Sequence, residues 1–215
     1  MALMPAGGRK MSRRCGVVVF GMLMVLASSL HAAAPLQIAG FALGAPIEHY
    51  RERLKMDTAL PLRHEEYLSE VEAKDLPGFK NGYLVFGTCL EPHKIVKIRL
   101  KYADSSKSFF NQLLQRFEAR FGKPTAYRGD AFQTFIAWKW SFTDQRDGSR
   151  VSMILQHYSG DDDEYTNGNS VKLTWWSQVE AERLCDQKKT GADPARSSTP
   201  EPKAGRVDFD FLVPK

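Results

Sequence analysis

The residues best suited to chemistry in this chain are few and widely spaced. Cys89 and Cys185 stand alone, with no Cys-x-x-Cys that would suggest a redox dithiol or a zinc site. In an oxidising compartment a separated pair of this kind forms a disulfide. Closing a loop of roughly 100 positions would stabilise the fold by about 4–5 kcal/mol at most in a chain-entropy account, before any strain is subtracted. The third cysteine, Cys15, lies in an apolar N-terminal run. His49, His64, His93 and His157 form neither His-x-His nor His-Glu-x-x-His spacing, so no metal site is assigned to them. Asp161–Glu164, with Asn167 and Asn169, gathers oxygens that would suit Ca²⁺. The stretch lacks EF-hand spacing and reads better as a solvated hairpin loop.

Catalytic signatures are also missing. The sequence has no Gly-x-Ser-x-Gly, no phosphate-binding P-loop and no Gly-x-Gly-x-x-Gly. Glu65 and Glu66 are adjacent, so on a strand they point to opposite faces and do not work as a pair. No catalytic residue and no cofactor is assigned, and the expected protein is not an enzyme. Two groups are left as binding candidates. Lys97, Arg99 and Lys101 alternate along one stretch and make a basic stripe that suits an anionic glycan or an acidic partner, unless it is a solvated face that protects a sheet edge. Trp176 should point away from the core, beside Ser152 and Ser141, where an indole can stack on a sugar or anchor a protein. The competing expectation is a staple in which Trp176 packs on Ala181 ahead of a helix.

The elements that carry these residues follow from periodicity. Pro46 opens a predicted helix to about Met56, with Ile47, Tyr50 and Leu54 at helical spacing. A strand is expected near Arg63 to Leu68, and Tyr83 to Cys89 reads as another. Lys94 to Tyr102 alternates Val96, Ile98, Leu100 and Tyr102 with the three cations, giving one buried and one wet face. Asp104 and Ser105 can cap a helix whose apolar stripe is Phe110, Leu113, Leu114, Phe117 and Phe121, closed by Gly122 and Pro124. Phe132–Phe142 and Arg150–Tyr158 form a predicted hairpin around Gln145–Gly148. Its register sets Trp140 opposite Met153 and Trp138 opposite Leu155, because a one-residue slip would place both tryptophans against polar faces. Val171, Leu173 and Trp175 continue the core face in a third strand. Ser177 and Glu180 read as a capping box opening a helix to about Lys188, with Leu184 facing the sheet.

This order of helix, strands, helix, strands, helix predicts an α+β fold. It is expected to be a two-layer sandwich of antiparallel strands with helices on one face, in two helix-plus-strands halves.

Residues 1–34 have the parts of a secretory signal peptide. Arg9, Lys10, Arg13 and Arg14 make a basic start, Val17 to Ala27 an apolar middle, and Ser28 to Ala34 a small-residue cleavage region. The expected product is one α+β domain over 35–188, then a Pro-rich flexible linker and a strand-like tail over 189–215. In that tail Val207, Phe209 and Phe211 alternate with acids and suit addition to a sheet edge. Four of the 30 Lys and Arg, and none of the 25 Asp and Glu, lie in the first 34 residues. The remainder is close to neutral and lacks the charge of a nucleic-acid binder. No later apolar run reaches membrane length.

Gly40-Phe-Ala-Leu-Gly44 ahead of a helix, and a helix ending Phe121-Gly-Lys-Pro124, resemble small exported bacterial α+β proteins. The similar families are the SmpA/OmlA-like outer-membrane assembly lipoproteins and the β-lactamase-inhibitor-like folds. The lipid-attachment cysteine of the lipoproteins is absent here. The resemblance implies a scaffold for binding other proteins. The expected function is therefore a periplasmic or secreted, non-enzymatic interaction module of the bacterial envelope, with an envelope protein or glycan as partner. The rival expectations are an envelope hydrolase with a scattered site and a carrier of a small apolar ligand.

Overall fold

The stretches that alternate most cleanly are strands in a computed structural model of the chain, which describes residues 34–160 and 167–191. A two-residue hairpin comes first, β1 (Gln37–Ile38) and β2 (Phe41–Ala42). Its turn is Ala39 and Gly40, both at positive φ. Arg53 braces it, donating from Nη2 to the Ala39 carbonyl at 2.7 Å and lying 4.2 Å from the Phe41 ring centroid. A short 3₁₀ helix (Ile47–Arg53) leads to β3 (Leu54–Leu62), β4 (Glu65–Ala73), β5 (Phe79–Gly87) and β6 (Ile95–Tyr102). Helix α1 (Lys107–Phe121) follows, then β7 (Ala126–Tyr127), β8 (Phe135–Thr143), β9 (Arg150–Tyr158), β10 (Gly168–Trp175) and helix α2 (Trp176–Thr190).

Strands β3 to β10 form one antiparallel sheet in the order β3-β4-β5-β6-β10-β9-β8-β7. Each half is a four-stranded meander preceded by a helical segment, and the halves join through their last strands, β6 and β10. The mixed α and β content and the antiparallel sheet are as expected. So is the hairpin register: Trp140 pairs with Met153 and Trp138 with Leu155, while Val171 pairs with Leu155 and Leu173 with Met153. Burial decides this register, since Trp140, Met153, Leu155, Val171 and Leu173 are all within 2 % of full burial.

The helices do not form a single layer. The main core lies on one face, where Ile98, Leu100, Leu84, Val71, Leu155 and Leu173 pack beneath Phe110 of α1, Ile47 and Phe41. A second cluster joins Leu68, Val85 and Val96 to Val179 of α2. Leu84 and Val85 are neighbours on one strand and point to opposite faces, so α2 covers the face that α1 does not. The register shift between Val85 and Phe86 is what supplies Val96 to that second face: Phe86 pairs with Ile95, but Val85 pairs with Lys97. Uninterrupted alternation had placed Val96 with Ile98 and Leu100.

Three local expectations also differ. The first helix ends at Arg53 and the chain extends at once into β3, because β3 pairs with β4 from Leu54↔Ala73 onward. The cap of α1 is Ser106, whose hydroxyl accepts from the Phe109 N–H at 3.2 Å, while Asp104 supports Ser106 from the turn before. The capping box at α2 does not form. The helix starts at Trp176 directly from β10, the Ser177 hydroxyl accepts from the Arg150 N–H, and Glu180 pairs with Arg183.

Candidate functional site

Among the described residues only part of the second sheet face is covered by α2. Strands β6 and β10 lay their outward residues across the rest. Antiparallel pairing sets Lys97 opposite Thr174, Arg99 opposite Lys172 and Lys101 opposite Ser170. The predicted stripe therefore runs along the centre of the sheet, between β5 and β10, and protects no edge. Two of its cations are matched. Lys97 Nζ meets Glu65 at 2.5 Å, and Arg99 Nη2 bonds Glu70. Among the described residues Lys101 and Lys172 are in no ion pair.

Sequence reasoning missed Lys172, since the positive cluster exists only once the two halves join. Directly opposed like charges on one sheet face repel. Burial pushes the Lys172 amine below the usual lysine range, and Arg99 and Lys97 push it further in the same direction. Burial also lowers Lys101, with Lys80 adding to the effect. Arg99 is held by Glu70 at one end and lies 5.5 Å from the Tyr83 ring centroid, yet its Nε is buried without a hydrogen-bond partner. These side chains line a cleft of about 330 Å³ completed by Asn81, Gln156 and Ser170. Among the described residues no carboxylate lines it. Its lining residues carry three cationic groups, two amides and two hydroxyls, a donor-rich set suited to an oxygen-bearing anion.

Trp176 lies on this same face, 43 % exposed, with its indole N–H donated to the Ser152 hydroxyl at 2.8 Å. It is the first residue of α2, not a residue ahead of a cap, so the staple geometry does not apply. No family model, curated protein or solved structure matches the chain.

The cysteines do meet. Cys89 and Cys185 form a disulfide with Cα atoms 5.9 Å apart. One turn before Cys185, Glu182 is fully buried and closes the same joint. Its Oε2 accepts the N–H groups of Cys89 and Leu90 at 2.7 and 2.9 Å, and its Oε1 that of Glu91 at 2.7 Å. Gln178 donates to the same oxygen. The inward face of α2 is thus Gln178, Val179 and Glu182, while Leu184, expected to face the sheet, is 44 % exposed. Gly87 makes room for this clamp, since a Cβ there would stand 2.5 Å from the Glu182 carboxyl.

The remaining buried polar groups also hold structure together. Asn169 donates from Nδ2 to the carbonyls of Asp104 and Ser106 at 2.8 and 2.9 Å. Its oxygen must then accept, so His157 Nδ1 carries the proton in their 2.7 Å contact. Imidazole and amide together form a strut beneath the start of α1. Asn169 is fully buried and committed there, so it is not free to bind Ca²⁺. Asp161–Glu164 and the tail from Arg206 to Lys215 lie outside the described residues. Among the described residues no three His, Cys, Asp or Glu side chains gather as metal ligands, and no helix is long and apolar enough to cross a membrane.

Proposed function

We propose that this protein is an exported, non-enzymatic binding module of the bacterial envelope, and that it holds an anionic glycan against the open sheet face at Arg99, Lys101 and Lys172. The observation that carries the reading is Lys172. A half-buried cation opposite Arg99, in no ion pair among the described residues, costs stability, and a bound anion offsets that cost. The amides and hydroxyls around it suit sugar oxygens, and the exposed Trp176 indole offers a stacking surface on the same face. Export is supported by the signal-like residues 1–34 and by a disulfide that persists in an oxidising compartment. The scaffold role implied by the resemblance to SmpA/OmlA-like proteins belongs to the same proposal.

Titration with an oligouronate tests it. Binding is expected to weaken with added salt as surface charge pairs are screened, and to fall roughly tenfold in Lys172→Gln and again in Lys101→Gln, about one charge-assisted contact each. The fold, followed by circular dichroism, should not change. Equal binding by the wild type and the double variant would refute the site. Pull-down from envelope extract, eluted with salt, is the companion measurement for a macromolecular partner.

A further inference from the structure

The first sheet face carries a second unfilled space, on the opposite side from the basic cleft. The apolar stripe of α1 is long, but only Phe110 is buried. Leu113, Leu114, Phe117 and Phe121 are only partly covered. Phe117 and Phe121 border a groove of about 690 Å³ beside the C-terminal half of the helix. The segment from Ala34 to Gly40 forms one wall, Phe117 and Phe121 the other, and Tyr102, Met153 and Leu173 lie at its base beside Phe79. Arg116 and Arg120 line it from α1.

These two arginines are one turn apart on one helix face, where like charges repel. Among the described residues neither is in an ion pair. Glu118, the one acid of α1, is committed to Lys123 at 2.6 Å. Among the described residues no Asp or Glu lines the groove. An apolar base beside two unmatched guanidinium groups is complementary to a molecule that is apolar along its length and anionic at one end.

We infer that this groove binds a free single-chain anionic amphiphile of the fatty-acid class, its chain against Tyr102, Met153, Leu173 and Phe117 and its acid group held by Arg116 and Arg120. Guanidinium groups suit a carboxylate because they present parallel N–H donors to its two oxygens. The alkyl chain gains from covering Phe79, Phe117 and Phe121, which the fold leaves partly exposed over a buried base. The inference does not depend on the glycan reading, since no lining residue is shared.

The test is calorimetric titration of the purified protein with monomeric laurate, with dodecanol and dodecyltrimethylammonium as probes of equal chain length. Laurate should bind with a Kd on the order of micromolar, and the cationic probe at least about tenfold more weakly. Arg116→Gln with Arg120→Gln should cost laurate roughly tenfold per arginine and leave dodecanol unchanged. Both positions are on the solvent side of the helix, and unchanged circular dichroism would confirm that the variants fold. No laurate binding up to about 1 mM, or equal binding of all three probes, overturns the proposal. So does a laurate affinity that ignores both substitutions. Adsorption to phosphatidylglycerol vesicles without binding of monomeric laurate would make the face a membrane surface instead, and a dimer lost on Phe117→Ser would make it a contact between copies.

Discussion

Glu182→Gln is the most informative single change, because it alters one charge and almost no volume. In the native turn the carboxylate accepts three backbone N–H groups, with Gln178 as a fourth donor. A glutamine has one acceptor oxygen. Placed at the Oε2 position, it can keep the Cys89 and Leu90 N–H groups, but its own NH₂ then faces the Glu91 N–H. Placed at the Oε1 position, it leaves the other two unmatched. Gln178 can flip its amide to adapt, whereas the backbone donors have no alternative. At least one partly buried N–H is therefore left without its partner, costing about 1–3 kcal/mol, and the surviving bonds drop from charge-assisted to neutral strength. Together these losses amount to about 3–4 kcal/mol. For a domain of this size that is a fall in Tm of roughly 6–16 °C. The assay is urea unfolding at neutral pH with the disulfide intact, comparing midpoints at constant slope. Glu180→Gln is the control, since its pair with Arg183 is exposed and screened by solvent and should leave the midpoint nearly unchanged. A loss below about 1 kcal/mol for Glu182→Gln would refute the clamp.

Gly87→Ala should cost about as much as Glu182→Gln, because its Cβ would strike the same carboxyl, and the two changes combined should cost less than their sum. Replacing Cys89 and Cys185 with serine should lower stability by about 2–4 kcal/mol in the same unfolding assay, and mass spectrometry of the unreduced, alkylated protein should show no alkyl addition at either cysteine. Lys172→Met should raise stability at pH 7 by about 0.5–1 kcal/mol, since the native chain there carries a repelled charge. With its native pKa depressed, the unfolded state binds more protons between the lowered and the ordinary lysine values. Wild-type stability should thus rise with pH through that alkaline window, and this part of the rise should vanish in the variant. Asp144, held down to about 2 by the Arg146 guanidinium and backbone N–H, should titrate near there by carboxyl NMR and move back toward the usual carboxylate value in Arg146→Ala. Its contribution to stability is present above the ordinary aspartate pKa and is lost as pH falls toward 2.

Periodicity carried the second half of the fold well. Trp138, Trp140, Met153, Leu155, Val171 and Leu173 alternate over long stretches, so only one register buries them all, and the structure has that register. The first half was less legible. Lys55 to Leu60 contains polar and small residues without clean alternation, and the β3–β4 pairing slips between Lys55 and Leu60. The bulge at Ile95–Val96 replaced a two-residue rhythm with one that only the partner strand reveals. At α2 the usual logic reverses: the buried positions are Gln178, Val179 and Glu182, and Leu184 is outside. Apart from Gln178, the donors that satisfy this buried glutamate come from a turn some 90 residues away, so little near it in the sequence announces it. The proximity of Cys185 to that glutamate was the one available sign.

The same long-range argument explains why the basic cleft is a property of the assembled sheet and of neither half. On β6 alone, Lys97 and Arg99 have acids to meet on β4, and a strand with that pattern is an ordinary solvated face. On β10 alone, Lys172 is one cation between Ser170 and Thr174 and would be well hydrated. Joining the meanders through β6 and β10 places Lys172 against Arg99, partly removes its water, and, among the described residues, brings it no ion pair. A fold selected for stability alone could relieve this with any small polar residue at position 172, because the neighbours Ser170 and Thr174 show that such residues fit the strand. The lysine makes sense if an anion from outside the chain supplies the missing charge in the cleft that Lys172 lines with Arg99 and Lys101. Ligand binding and relief of strain then become one equilibrium. Lys172→Met should stabilise the free protein and, in the same protein, abolish the gain in Tm that a bound oligouronate gives the wild type. If the variant still gains as much as the wild type, the charge at position 172 belongs to the sheet and not to a ligand.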